Sequence, residues 1–140
     1  MGWTDALVDV FPDLEHLELV RGAEGKGHPK VRSLKITSQR GLGHEGDWPA
    51  VRSLHLAIDE PPVIREMRWR GLFPMPRLPA VTDVTISCDG PCPRYILSGV
   101  LREESLPALE SIELAGPVDE RALETLLVSA GMRGIRVVQR

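Results

Sequence analysis

Two thiols, Cys88 and Cys92, are the first residues in this chain whose type and spacing could do chemistry. They bracket Asp89-Gly90-Pro91, so three residues separate them rather than the two of a thioredoxin-like redox pair. The pair follows an expected strand and precedes an expected helix, and a helix N-terminus favours the thiolate. That arrangement allows a reversible disulfide and a small thiol-redox protein. The other reading is two small residues at a buried strand-to-helix turn. A metal site would need two more ligands, and no nearby His or Cys pair supplies them.

The remaining chemical candidates are weaker. Gly41-Leu42-Gly43-His44-Glu45-Gly46 matches G-x-G-x-x-G behind an expected strand. A dinucleotide site also needs a helix opening directly after the glycines, because its N-terminal N–H groups hold the pyrophosphate. Asp47-Trp48-Pro49 leads instead into another strand pattern, which makes the glycines a turn. His16 and His55 fall on solvent-facing strand positions, and His28 and His44 fall in loops. All four are expected to be exposed and neutral. No serine sits in a G-x-S-x-G elbow, and the carboxylates are scattered singly. The chain therefore reads as non-enzymatic, with no catalytic residue, metal or cofactor expected.

Arg65-Glu66-Met67-Arg68-Trp69-Arg70 is the sharper candidate for recognition. On a helix that buries Val63, Ile64 and Met67, Trp69 projects to the opposite side, near Arg65 and Phe73. A Trp among arginines suits an acidic or apolar partner patch. Alternatively the helix ends early and Trp69 folds into the next turn beside Phe73.

The elements that must position these residues come from a repeated pattern. FPDLEHLEL, HPKVRSLKI, WPAVRSLHL, LPAVTDVTI and LPALESIEL share Pro-x-[LV]-x-x-[LVI]-x-[LI], and GMRGIRV keeps the apolar spacing without the proline. The first apolar positions are Leu14, Val31, Val51, Val81, Leu109 and Met132, at intervals of 17, 20, 30, 28 and 23 residues. Alternation puts Leu17 and Leu19, Leu34 and Ile36, Leu54 and Leu56, Val84 and Ile86, Ile112 and Leu114, and Ile135 and Val137 on one face of short strands. No single strand buries that face alone; stacked units make one continuous core. Prolines 12, 29, 49, 79 and 107 suit the start of each strand, where a missing N–H is tolerated. Asp119 is the expected N-cap of a helix through Leu123, Leu126 and Leu127, and a helix over about Thr4 to Val10 is expected to cover the first unit. Val63, Ile64 and Met67, and Ile96, Leu97 and Val100, follow helical spacing, whereas RGAEGKGH and SQRGLGHEGD are too short and glycine-rich for full helices.

This pattern resembles the leucine-rich-repeat family, in a degenerate form of bacterial or F-box-associated type, whose repeats run about 20–29 residues around L-x-x-L-x-L. The resemblance covers nearly the whole chain. It implies one α/β domain over residues 1–140, a solenoid with a curved parallel sheet of six short strands and with helices and loops on the convex side. It also implies protein–protein recognition and a protein partner. The chain departs from the family where Asn or Cys often follows the last Leu by three residues. Those positions hold Gly22, Gln39, Asp59, Asp89, Pro117 and Arg140, and the sequence has no Asn, so an asparagine ladder cannot form.

If the strands stack, one outward column reads Glu18, Lys35, His55, Thr85, Glu113 and Arg136, in which Glu18 can pair with Lys35 and Glu113 with Arg136. The column before it reads His16, Ser33, Ser53, Asp83, Ser111 and Gly134. This face is either a self-compensated solvated surface or a shallow binding face. Lys35, His55, Thr85, Glu113 and Arg136 are its candidate contacts, beside Arg65, Arg68, Trp69 and Arg70 of the helix. The last strand has no cap behind it. Either that edge pairs with another subunit, in a homo-oligomer or a larger assembly that would make the chain a structural subunit, or the chain is a piece of a longer array, or the terminal strand frays. With 140 residues, a formal net charge of −3 and no long apolar run, the chain suits a single domain without nucleic-acid or membrane partners, and a cytoplasmic location is the default.

Overall fold

The computed structural model describes residues 8–19, 27–37, 47–58, 78–88, 106–118 and 120–140. Each repeated proline opens a turn or, at Pro29, a bend. In four units the carbonyl before the proline accepts a hydrogen bond from the amide three residues on: Phe11 from Leu14 (3.2 Å), Trp48 from Val51 (3.4 Å), Leu78 from Val81 (3.4 Å) and Leu106 from Leu109 (3.3 Å). Proline presets φ for this position and gives up an N–H the turn does not use. Four residues after each proline a strand begins. These are β1 (His16–Leu19), β2 (Ser33–Thr37), β3 (Ser53–Ile58), β4 (Asp83–Cys88) and β5 (Ser111–Ala115). A sixth strand, β6 (Arg136–Gln139), lacks the proline and follows helix α1 (Glu120–Met132) instead.

The six strands form one all-parallel sheet in sequential order, β1-β2-β3-β4-β5-β6, which makes the chain α/β. The register joins equivalent positions: Leu17, Leu34, Leu54, Val84 and Ile112 lie side by side, as do Leu19, Ile36, Leu56, Ile86 and Leu114. The carbonyl just before each of β1 to β4 repeats one contact, accepting two amides of the next unit. Glu15 receives Arg32 and Ser33, Arg32 receives Arg52 and Ser53, Arg52 receives Thr82 and Asp83, and Thr82 receives Glu110 and Ser111.

Burial follows the pattern. Val31, Val51 and Val81, the two inward residues of each of β2 to β5, and Trp48, Leu78 and Leu106 before the prolines are all essentially inaccessible, and Leu109 nearly so. Removing such a side chain from water stabilises by about 1.5–3 kcal/mol each. Leu126 and Ala130 of α1 join the same cluster, with Leu123 partly buried against it.

The end of α1 sets where β6 begins. Gly134 has φ 69°, Ile135 N–H bonds Ala130 C=O (2.8 Å) and Gly134 N–H bonds Gly131 C=O (3.2 Å). This is a Schellman cap, closed by burial of both Ala130 and Ile135. The sixth unit is therefore shifted from its expected alignment. Met132 is not its first inward residue but the last residue of α1, 85% exposed. Val137 pairs with Ile112 and Gln139 with Leu114, so Val137 takes the middle position rather than the last.

His28 is a second correction. Instead of an exposed loop residue it is 1% exposed. It occupies the pre-proline position held by Trp48, Leu78 and Leu106 in other units, and its ring bonds at both ends. Nε2 lies 2.9 Å from Phe11 O, and Nδ1 accepts from Lys30 N–H at 3.1 Å. A carbonyl only accepts and an amide only donates, so the proton is on Nε2. His28 thus turns a core position into a tie between two units. Gly27, just before it, has φ 92°, and a Cβ there would come within 2.2 Å of Asp47 O.

Of the expected helices, α1 is found, and residues 8–10 are helical as expected for the chain-start helix. The helices expected around Val63–Met67 and Ile96–Val100, Asp119, residues 4–7, the glycine segment 41–46, His44 and Cys92 lie outside the described residues.

Candidate interaction face

The sheet buries one face and leaves the other to solvent. All-parallel sheets usually have both faces covered and read as continuous apolar runs. Here the strands alternate instead, and their second face carries polar side chains in register. Glu18, Lys35, His55, Thr85 and Glu113 form one column across β1 to β5, as expected. Arg136 does not complete it. The two-residue shift of β6 puts Val138 opposite Glu113 and moves Arg136 opposite Ser111. The neighbouring column is therefore His16, Ser33, Ser53, Asp83, Ser111 and Arg136, with Arg136 where Gly134 was expected.

Pairing along these columns is partial. Lys35 Nζ lies 3.9 Å from Glu18 Oε1, the expected cross-strand pair. Glu113 pairs with Arg140 and not with Arg136, because Arg140 is the cation the shifted register brings alongside. Asp83 accepts from Ser111 Oγ (2.5 Å) and from Thr82 Oγ1 (3.0 Å). His55 Nε2 is 2.7 Å from Ser87 Oγ, a diagonal contact between β3 and β4. Partial burial holds the His55 pKa below 6.5, the Lys35 ammonium adds to that, and Glu18 and Glu113 oppose it. Its imidazole is accordingly neutral near pH 7.

Over β3 to β6 this face forms a shallow concavity of about 540 Å³. Ser53, Asp83, Thr85, Ser111, Glu113 and Arg136 line it, with Val138 and Arg140 at one side. The structure thus gathers Thr85, Glu113 and Arg136 around one hollow and leaves Lys35 and His55 on the adjoining strands. Arg65, Arg68, Trp69 and Arg70 lie outside the described residues, as does Cys92, while Cys88 ends β4. Ser53, Asp83, Ser111, Val138 and Arg140 are contributors missed by sequence reasoning: the first three stand in the neighbouring column, and the other two depend on the β6 register. Among the described residues no group of three or more His, Cys, Asp or Glu is placed to hold a metal ion, and no helix is long and apolar enough to cross a membrane. Comparison with protein-family models, with curated proteins and with solved structures finds no match to this chain.

Proposed function

We propose that this chain is a non-enzymatic, cytoplasmic protein–protein interaction module, built as a short leucine-rich-repeat-type solenoid that meets its partner with the open face of the sheet. The observation that carries this reading is the one-sided sheet. Sequential parallel strands with one buried and one polar, registered face are what stacked strand units produce. A rigid open face of this kind presents side chains at fixed spacings of about 4.8 Å. Lys35, His55, Thr85, Glu113 and Arg136 are its proposed contacts, and the Arg65, Arg68, Trp69 and Arg70 segment is a second proposed contact region. Affinity capture from native cell extract tests the reading with Thr85→Arg as the control. A protein retained by the wild type and lost with the variant at unchanged melting temperature supports it; retention indifferent to Thr85→Arg overturns it. Trp69→Ala separates the two roles of that residue, since lost capture without destabilisation marks a contact and a lowered melting temperature marks core.

A second reading, a structural subunit assembling through its ends, is favoured by one specific observation. The six large apolar side chains exposed among the described residues are Val10, Phe11, Leu127, Val128, Met132 and Val138, all at the β1 or β6 end of the sheet. Thiol-redox activity of Cys88 and Cys92 has no such support, and thiol titration with and without reductant tests it directly.

A further inference from the structure

Charge in the concavity is divided by strand. Asp83 on β4 and Glu113 on β5 are acidic; Arg136 on β6 and Arg140 just after it are basic. Glu113 and Arg140 satisfy each other. Asp83 and Arg136 share a column with Ser111 between them, and neither has an ionic partner among the described residues. The hydroxyls of Ser111 and Thr82 orient the Asp83 carboxylate, which is exposed and keeps acceptor capacity for a cation. Two strand spacings of about 4.8 Å place the two backbones about 10 Å apart. Between and beside them the floor is small and hydroxylic, from Ser53, Thr85 and Ser111, with the 42% exposed Val138 next to Arg136.

We propose that this concavity takes an extended segment of a partner protein bearing an acidic and a basic side chain two residues apart, the carboxylate on Arg136 and the cation on Asp83. The inference rests on the reading of the open face as a partner-binding surface and names what that surface selects. In an extended chain, residues two apart point the same way about 7 Å apart, and the length of the Arg136 side chain spans the difference. A guanidinium grips a carboxylate with two parallel hydrogen bonds, which fixes the position of the segment as well as its charge. A segment of one sign leaves either Asp83 or Arg136 covered and unpaired, the costly outcome on desolvation. The charge order also sets direction, with the acidic residue over β6 and the basic one over β4. The volume of about 540 Å³ lies within the range of ligand clefts.

The test is selection of a displayed library of short random peptides on the immobilised chain. Enriched peptides are expected to carry an acidic and a basic residue two apart. Arg136→Gln and Asp83→Asn are each expected to weaken a selected peptide about five- to tenfold, with unchanged circular dichroism. Replacing both charges of the peptide by Gln is expected to do the same. Peptides enriched without that charge pair, yet lost with Thr85→Arg, overturn this inference and leave the open face as a binding surface. Enriched peptides indifferent to all three substitutions, or no enrichment above the bare support, overturn both.

Discussion

At the scale of single residues, two histidines of one sequence type do opposite work. His28 is enclosed and spends both ring nitrogens on backbone groups of neighbouring turns. His28→Ala strips two part-buried backbone bonds and opens a hole where the ring was, so it is expected to lower the unfolding free energy by about 2–3 kcal/mol in urea titration. His55 sits on the open face with its pKa held below 6.5, first by partial burial and then by Lys35. The folded state therefore binds the proton more weakly than the unfolded chain. Its contribution to stability is complete above about pH 6.5 and is lost as pH falls from there toward the folded value. Melting temperatures measured between pH 7.5 and 5 are expected to fall for the wild type and to fall less for His55→Gln; an identical slope in both would remove His55 as a source. The exposed Asp13–Lys30 pair (2.7 Å), which lowers the Asp13 pKa chiefly through its hydrogen bond, adds little because solvent screens it.

At the scale of elements, three glycines differ in what a methyl group would meet, and so predict an order. Gly27→Ala sets a Cβ 2.2 Å from Asp47 O and 2.8 Å from its carbonyl carbon, at φ 92°. Backbone must move, so a loss of more than about 2 kcal/mol is expected, with β2 and β3 pulled apart at their turns. Gly134→Ala meets open space at φ 69° and costs only the left-handed conformation, about 1 kcal/mol. Gly131→Ala meets nothing within 4 Å in a helix and is expected to stabilise by about 0.5–1 kcal/mol. Thermal melts of the three variants check the order. The same turns explain what the sequence disclosed. Five strands were legible because a proline fixes each turn and the apolar spacing then allows a single register. β6 was misplaced by two residues because Met132 mimics the first apolar position while serving as the last residue of a helix. His28 reads as an exposed loop residue; the signal that places it inside is its column, since Trp48, Leu78 and Leu106, all buried, stand at the same place before proline. Of the candidate face, four of the five residues named on strands kept their column; Arg136 moved with β6, and the charge layout of the concavity moved with it.

At the scale of the whole molecule, the open face and the two ends make competing demands, and one measurement separates them. The face is polar, and among its described residues only Val138 is a strongly exposed large apolar side chain; Val10 and Phe11 stand at the β1 end, and Leu127, Val128 and Met132 on α1 beside β6. Exposed apolar side chains near each end of a parallel sheet, among the described residues, suit heterologous, end-to-end association, which repeats instead of closing as a two-fold dimer does. Charge differs in the same sense: described residues 8–19 carry four acids and no Lys or Arg, with Asp13 and Glu18 paired to Lys30 and Lys35, whereas 120–140 carry Arg121, Arg133, Arg136 and Arg140 against Glu120 and Glu124, with Arg140 paired to Glu113. Light scattering coupled to size exclusion over a dilution series is therefore expected to show mass rising with concentration, and less steeply at high salt. Val128→Gln with Met132→Gln is expected to leave the chain monomeric without lowering its melting temperature, because both side chains are already in water and no charge is added at the helix C-terminus. A monomer at every concentration would assign these ends no role in self-association and leave the open face as the proposed partner surface. Mass growth abolished by Thr85→Arg but not by the helix pair would instead make the open face the self-association surface.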